Sequence, residues 1–112
     1  MDIKMTAATA KVIQVFAKDP TAERYGRELM QATGLQSGSL YPILARLERD
    51  GVLTSEVEEV DPRAAGRPAR RFYTITGEGI KAARQALAEL HELTRLPSTS
   101  WLPGPVPEGG RA

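Results

Sequence analysis

Cysteine is absent from the 112-residue chain, which excludes disulfides, thiol chemistry and any cysteine zinc site. Histidine occurs once, at His91, so a zinc site of three or four His and Cys ligands cannot be assembled. No apolar run approaches the ~20 residues that span a bilayer. The N-terminal MDIKMTAATAKVIQVF lacks the charge, long apolar run and small-residue cleavage site of a signal peptide. An excess of one charge is also lacking: 15 Lys and Arg against 14 Asp and Glu leave +1. The total therefore argues neither for nor against a nucleic-acid partner, and the distribution must decide. No nucleophile–base pair, metal set or glycine-rich phosphate loop can be placed, so neither an enzyme nor a cofactor is expected. These exclusions leave a soluble cytoplasmic protein of one folded unit, with no membrane partner.

Within those bounds the pattern is mainly helical. Thr6 to about Lys18 reads as a helix with Ala8, Val12, Val15 and Phe16 on one face. A second, short helix fits 23–33, with Leu29 and Met30 inward and Gly34 as its stop. A third covers 38–50 and ends at Asp50-Gly51. The period then changes to two over 52–60, a strand. Residues 61–69 read as a loop, and the aromatic and β-branched 70–76 as a second strand. Thr76 reads as the N-cap of a long last helix with Glu78 in its first turn. Residues 97–112, which include Trp101, are rich in Pro, Gly and Ser and are predicted to be disordered. The order helix-helix-helix-strand-strand-helix predicts a winged helix-turn-helix, mainly α with a small β hairpin. Residues 1–76 form the DNA-binding domain in this reading, 77–96 a C-terminal dimerisation helix and 97–112 the tail.

In that arrangement the helix 38–50 enters the DNA major groove, yet it carries Pro42. A proline in a helix interior costs ~3 kcal/mol. On a helical wheel Leu40, Leu44 and Leu47 centre the buried side with Ile43 at its edge. Gly38, Pro42, Ala45, Arg46 and Arg49 lie opposite, and Ser39 and Tyr41 flank the start. If Ser37 or Ser39 is the cap, Pro42 falls in or just past the first turn, where backbone N–H groups lack internal partners anyway. The loss is then at most about one hydrogen bond. A small, flat helix start also admits a close DNA backbone, and free N–H groups there favour phosphate.

These residues resemble the PadR family of transcriptional regulators. The resemblance covers about 25 to 80. Its carriers are Tyr25-Gly26, Gly38-Ser39-Leu40-Tyr41-Pro42 with Leu44, Leu47 and Glu48, then Gly51, Arg67, Phe72-Tyr73, Thr76 and Gly79. It implies a homodimeric repressor of pseudo-palindromic operators, with dimer contacts from the last and first helices. The dimer residues expected are Ile80, Ala83, Leu87 and Leu90, with Val12 and Phe16. Arg24 stands where the family usually has histidine, and a phosphate contact is one role for it. Some relatives release DNA when a small aromatic effector binds at the dimer interface; no residue here identifies one.

Arg63, Arg67, Arg70 and Arg71 cluster in or beside the wing, with only Asp61 opposing them. Arg67 at a hairpin tip suits flanking phosphates or a narrow minor groove. Glu56, Glu58 and Glu59 either face solvent or pair with Arg70 and Arg71 across the hairpin. The DNA-binding residues expected are thus Tyr25, Ser37, Gly38, Ser39, Tyr41, Pro42, Arg46, Arg49, Arg63, Arg67 and Arg70. Arg46 is expected to read a base and Arg67 the backbone. Tyr25 and Tyr41 can donate hydroxyls to phosphate, whereas Tyr73 is expected in the core and His91 in solvent or at the dimer interface. A winged-helix module that holds a protein instead of DNA is the alternative reading.

Overall fold

A computed structural model of the chain describes residues 1–95; the tail 97–112 and Trp101 lie outside the described residues. Helix α1 (Ala7–Lys18) starts where the Thr6 hydroxyl accepts from the Thr9 N–H at 3.1 Å. Strand β1 (Arg24–Tyr25) follows, then α2 (Gly26–Thr33) and α3 (Ser37–Arg49). The wing comprises β2 (Leu53–Val57), the one-turn α4 (Pro62–Ala65) and β3 (Arg71–Ile75), and α5 is Gly77–Thr94. The sheet is antiparallel in the order β1-β3-β2, with Leu53 opposite Ile75 and Val57 opposite Arg71. The winged helix-turn-helix expected from the sequence is therefore the fold, with two local differences.

Residues 23–33 do not form one helix. Arg24 and Tyr25 pair with Tyr73 and Phe72 of β3, and the helix begins only at Gly26. The cause is cross-strand packing: the Tyr25 and Phe72 rings meet at 6.0 Å between centroids. The loop 61–69 contains α4, capped by the Asp61 carboxylate, which accepts from the Arg63 N–H at 3.0 Å. Pro62 at the first helical position and left-handed Gly66 at the end complete that turn.

The core runs through α1, α2, α3 and the hairpin. Val12, Ile13, Phe16, Leu29, Leu40 and Leu44 are wholly buried, with Leu47, Val52 and Leu53 beside them. Ala83 of α5 is also fully enclosed, where α5 packs on α1. Val12, Phe16 and Ala83 were expected at a dimer interface. They have no exposed area to give to a partner, because the face shared by α1 and α5 closes the chain's own core. Ile80 and Leu87 are half-buried against that same core.

One backbone residue ties α3, the wing and α5 together. The Val52 N–H donates to the Leu47 carbonyl at 2.9 Å, and the Val52 carbonyl accepts from the Thr76 N–H at 3.0 Å. The Thr76 hydroxyl donates to the Gly51 carbonyl at 2.8 Å and accepts from the Gly79 N–H at 2.9 Å, capping α5. Gly79 lies so close that a Cβ there would stand 2.2 Å from the Val52 carbonyl oxygen. That neighbour is backbone and cannot swing aside. Gly79→Ala should therefore destabilise the protein by about 1–3 kcal/mol. Gly38→Ala in α3, where a Cβ meets nothing within 4 Å, should stabilise by about 0.5–1 kcal/mol. Thermal melts of the two variants check this, and equal melting points would contradict the close approach at Val52.

Candidate nucleic-acid interface

The face of α3 opposite the core is exposed at Gly38, Pro42, Ala45 and Arg49. Ser37, Gly38 and Ser39 are exposed at its start. The N-cap is Gln36 rather than Ser37 or Ser39: the Ser39 and Leu40 N–H groups both reach the Gln36 carbonyl, at 3.0 and 2.9 Å. Pro42 is the sixth helical residue. The acceptor it leaves without its usual partner is the carbonyl of Gly38, a residue exposed to water. Pro42 thus costs little because the glycine four residues earlier leaves that carbonyl hydrated.

Arg46 does not share this face. Its Nη2 donates to the Thr9 hydroxyl of α1 at 2.8 Å, and its side chain is half-buried. On the wheel it stands roughly a third of a turn from the apolar centre, next to Ile43, so its long stem folds back onto α1. Arg46, expected to reach a base edge, is instead turned back onto α1. Arg24 is likewise not aimed outward. It donates to Glu28 at 2.6 Å and to the Val15 carbonyl at 3.2 Å, joining β1 to α1 and α2.

Tyr41 lies on the other flank of α3 and covers Gly26. A Cβ at Gly26 would stand 2.0 Å from the Tyr41 hydroxyl oxygen, so any larger residue there would push the Tyr41 ring out of this position. Between Tyr41, the start of α2 and the wing opens a cleft of about 620 Å³. Tyr25 and Tyr41 form aromatic parts of its wall, and Arg27, Arg67, Arg70 and Arg71 are its cations. Arg27 was not anticipated as a site residue. Its signal was its place directly after Tyr25-Gly26, at the start of a helix. The Arg70 guanidinium lies 5.0 Å over the Tyr25 ring, a cation–π contact. Burial raises the pKa of the Tyr73 phenol at the cleft's inner side.

The wing arginines are not equivalent. Arg63 is exposed on α4, and Arg49 is exposed with Asp50 only 4.0 Å away. Arg67 donates to Glu58 and, at 3.1 Å, to the Pro68 carbonyl. Glu58 also accepts from the Arg70 N–H at 2.9 Å and lies 3.5 Å from Arg70 Nε. Of the partners expected for the acidic strand, Arg70 is engaged and Arg71 is not. Arg71 instead donates to the Ser55 hydroxyl at 2.9 Å, which donates to Glu48 of α3 at 2.7 Å. Glu56 and Glu59 face solvent. The Arg67 hydrogen bond, then the Arg70 N–H, hold the Glu58 pKa down to about 2 from 4.5. Glu58 in turn raises that of Arg67.

Residues 21–85, more than half of the chain, match the model of the transcriptional regulator PadR-like family. The chain belongs to that family. It is a family of transcriptional regulators rather than enzymes. The PadR-like chain is 47% identical over 58 residues to the Mycobacterium tuberculosis protein named Transcriptional regulator Rv3488. That match covers 52% of this chain and 50% of the relative, so the chain spans about half the length of the curated relative it matches. A PadR-like transcription factor from Bacteroides fragilis aligns with a TM-score of 0.60 and 26% identity, over 75% of this chain and 81% of that one. A PadR family transcriptional regulator from Eggerthella lenta aligns at 0.60 and 28%, over 73% and 72%. The matched PadR-like segment contains the Tyr41–Gly26 contact, the wing and the Thr76–Gly79 cap.

Two measurements check this geometry. Arg46→Ala should lower stability by about 0.5–1.5 kcal/mol, the worth of one hydrogen bond, seen as a small drop in melting temperature. No drop would mean that Arg46 is free of Thr9. Because the Glu58 pKa is depressed on folding, its arginine tie is fully present above about pH 4.5 and is lost as pH falls through about 2. An NMR titration of its carboxyl carbon should show that low midpoint. A midpoint near 4.5 would mean that the tie is absent.

Proposed function

We propose that the chain is a dimeric, sequence-specific DNA-binding repressor. In this reading α3 lies in the major groove and the wing lies along the backbone or minor groove. The observation that carries it is the exposed α3 face ending in Arg49, flanked on one side by the four-arginine cleft. Small residues at Gly38, Pro42 and Ala45 let the helix sink close to base edges, and Ser37 and Ser39 offer hydroxyls at its start. With Arg46 engaged by α1, Arg49 is the arginine of α3 available for a guanine edge or a phosphate. Arg27, Arg63, Arg67 and Arg70 supply phosphate contacts, and Tyr25 and Tyr41 supply hydroxyls.

The dimer surface in this reading is the face of α5 that its own core leaves uncovered. Leu93 is 82% exposed, and Ala82, Ala86 and Leu90 are half-exposed at helical spacing from it. An apolar helix face of this kind favours burial against a second copy. Residues 1–76 then act as the reading unit and 77–96 set the separation of the two recognition helices. The repressor sign follows from the family resemblance and is read with a promoter reporter.

Binding of a random and a promoter-derived duplex at several salt concentrations tests the DNA reading. Wild type should bind both, with affinity falling steeply as salt rises. Arg67→Ala should remove one phosphate contact per subunit and shallow the log–log salt slope by about 2. If wild type binds no duplex, the protein-holding alternative becomes the better reading. Light scattering tests the dimer: wild type should be dimeric and Leu93→Glu should dissociate it. Leu93 is the better probe than Leu87, because a charge at half-buried Leu87 would also damage the core. A monomeric wild type at tens of micromolar (about 10⁻⁵ M) would remove the dimer.

A further inference from the structure

Glu58 looks misplaced in a DNA-facing wing, since a carboxylate repels phosphate. Its surroundings give it a different purpose. The Glu58 side chain is only 12% exposed, and it is not among the residues that line the cleft, whereas Arg67 and Arg70 are. Its main chain is seated first: the Glu58 N–H donates to the Arg70 carbonyl at 2.8 Å, while its carboxylate accepts from the Arg70 N–H at 2.9 Å. The loop from 58 to 70 is therefore closed on both sides of one residue pair. The same carboxylate oxygen then takes Nη1 of Arg67 and lies 3.5 Å from Nε of Arg70.

The Arg67 guanidinium is thus hydrogen-bonded through one nitrogen, and that of Arg70 is ion-paired through its Nε. Arginine has five N–H donors in a fixed fork. Among the described residues, Nε and Nη2 of Arg67 and both terminal nitrogens of Arg70 have no acceptor. Tyr25 fixes the plane of Arg70 from below, with the guanidinium carbon 5.0 Å from its ring centre. We propose that Glu58 is the positioning residue of the wing: from behind the cleft it holds Arg67 and Arg70 so that their remaining N–H groups receive a DNA phosphate. This rests on the DNA-binding reading given above. The carboxylate does not compete with the phosphate, because its own backbone pairing keeps it out of the cleft and the arginines have donors for both. The low pKa of Glu58, caused first by the Arg67 hydrogen bond and then by the Arg70 N–H, is the electrostatic trace of this clasp. Holding the two long side chains in advance lowers the rotamer entropy lost on binding.

The test uses the full chain, a short random-sequence duplex and several salt concentrations. E58A should weaken binding about tenfold and shallow the log–log salt slope by about 2, as loss of the one phosphate contact that the two arginines share in each subunit would. E58Q keeps an acceptor oxygen in the same place and should stay within about threefold of wild type. In an R67A/R70A background, E58A should have no further effect, which a general loss of wing structure would not reproduce. E58A should melt somewhat lower than wild type, since it loses the carboxylate that accepts from Arg67 and the Arg70 N–H, so binding is compared at a temperature where circular dichroism shows every variant folded. Tighter binding by E58A would overturn the proposal, because Glu58 would then be a competitor for the arginines. So would an E58A effect that persists without Arg67 and Arg70, or an E58Q as weak as E58A. Wild type that binds no duplex would instead remove the DNA reading itself, and the proposal with it.

Discussion

The geometry of the site depends on the peptide at Val52. Its N–H closes the end of α3 and its carbonyl receives the Thr76 N–H at the start of α5. The strand that begins one residue later carries the wing. The angle between α3 and α5 is therefore set within a few residues of one buried side chain. Gly79 shows how tight the setting is, because no Cβ fits against the Val52 carbonyl. In a dimer built through α5, an error at this junction would be carried to both recognition helices and alter their separation. A two-fold protein reads two half-sites at a fixed spacing, so rigidity here matters more than at the wing tip.

A second tie runs from the wing back to α3. Arg71, Ser55 and Glu48 form a hydrogen-bonded chain across β3, β2 and α3. Each bond is exposed and individually weak, but together they couple wing orientation to helix orientation. The Tyr41–Gly26 contact does the same between α3 and α2. The cleft is the space these contacts leave between rigid parts, and its four arginines arrive from two elements and the loop between strands. That assembly explains how a chain of net charge +1 can hold a strongly cationic surface. Among the described residues no acidic side chain lines the cleft, and Glu58 lies behind its arginines.

How much of this was legible in the sequence follows from the range of each interaction. Helices α1, α3 and α5 were readable because apolar residues repeat at helical spacing, and the wing because the period changes to two. Thr76 was readable as a cap because capping is local. β1 was not, since two residues carry no periodicity and only their pairing with Tyr73 and Phe72 makes them a strand. The exposed stripe Gly38, Pro42, Ala45 and Arg49 was visible on a wheel. The fate of Arg46 was not, because an arginine on the flank reaches either solvent or a neighbouring helix, and Thr9 is 37 residues away in the chain.

The same limit explains the residues of α1 and α5 assigned to a dimer. Val12 and Phe16 of α1 and Ala83 of α5 belong to two apolar rows that a sequence cannot divide between a chain's own core and a partner's surface. The α1–α5 packing divides them: the row through Ile80, Ala83 and Leu87 turns inward, and the row through Ala82, Ala86, Leu90 and Leu93 is left. An 18-residue helix at the edge of so small a core cannot bury all sides. Its first turns are held by Val52 and the core, whereas Leu93 near its end has no cover among the described residues. The junction that orients α3 therefore acts on one end of α5, and under the proposed dimer the exposed other end of the same helix would carry that geometry to the partner.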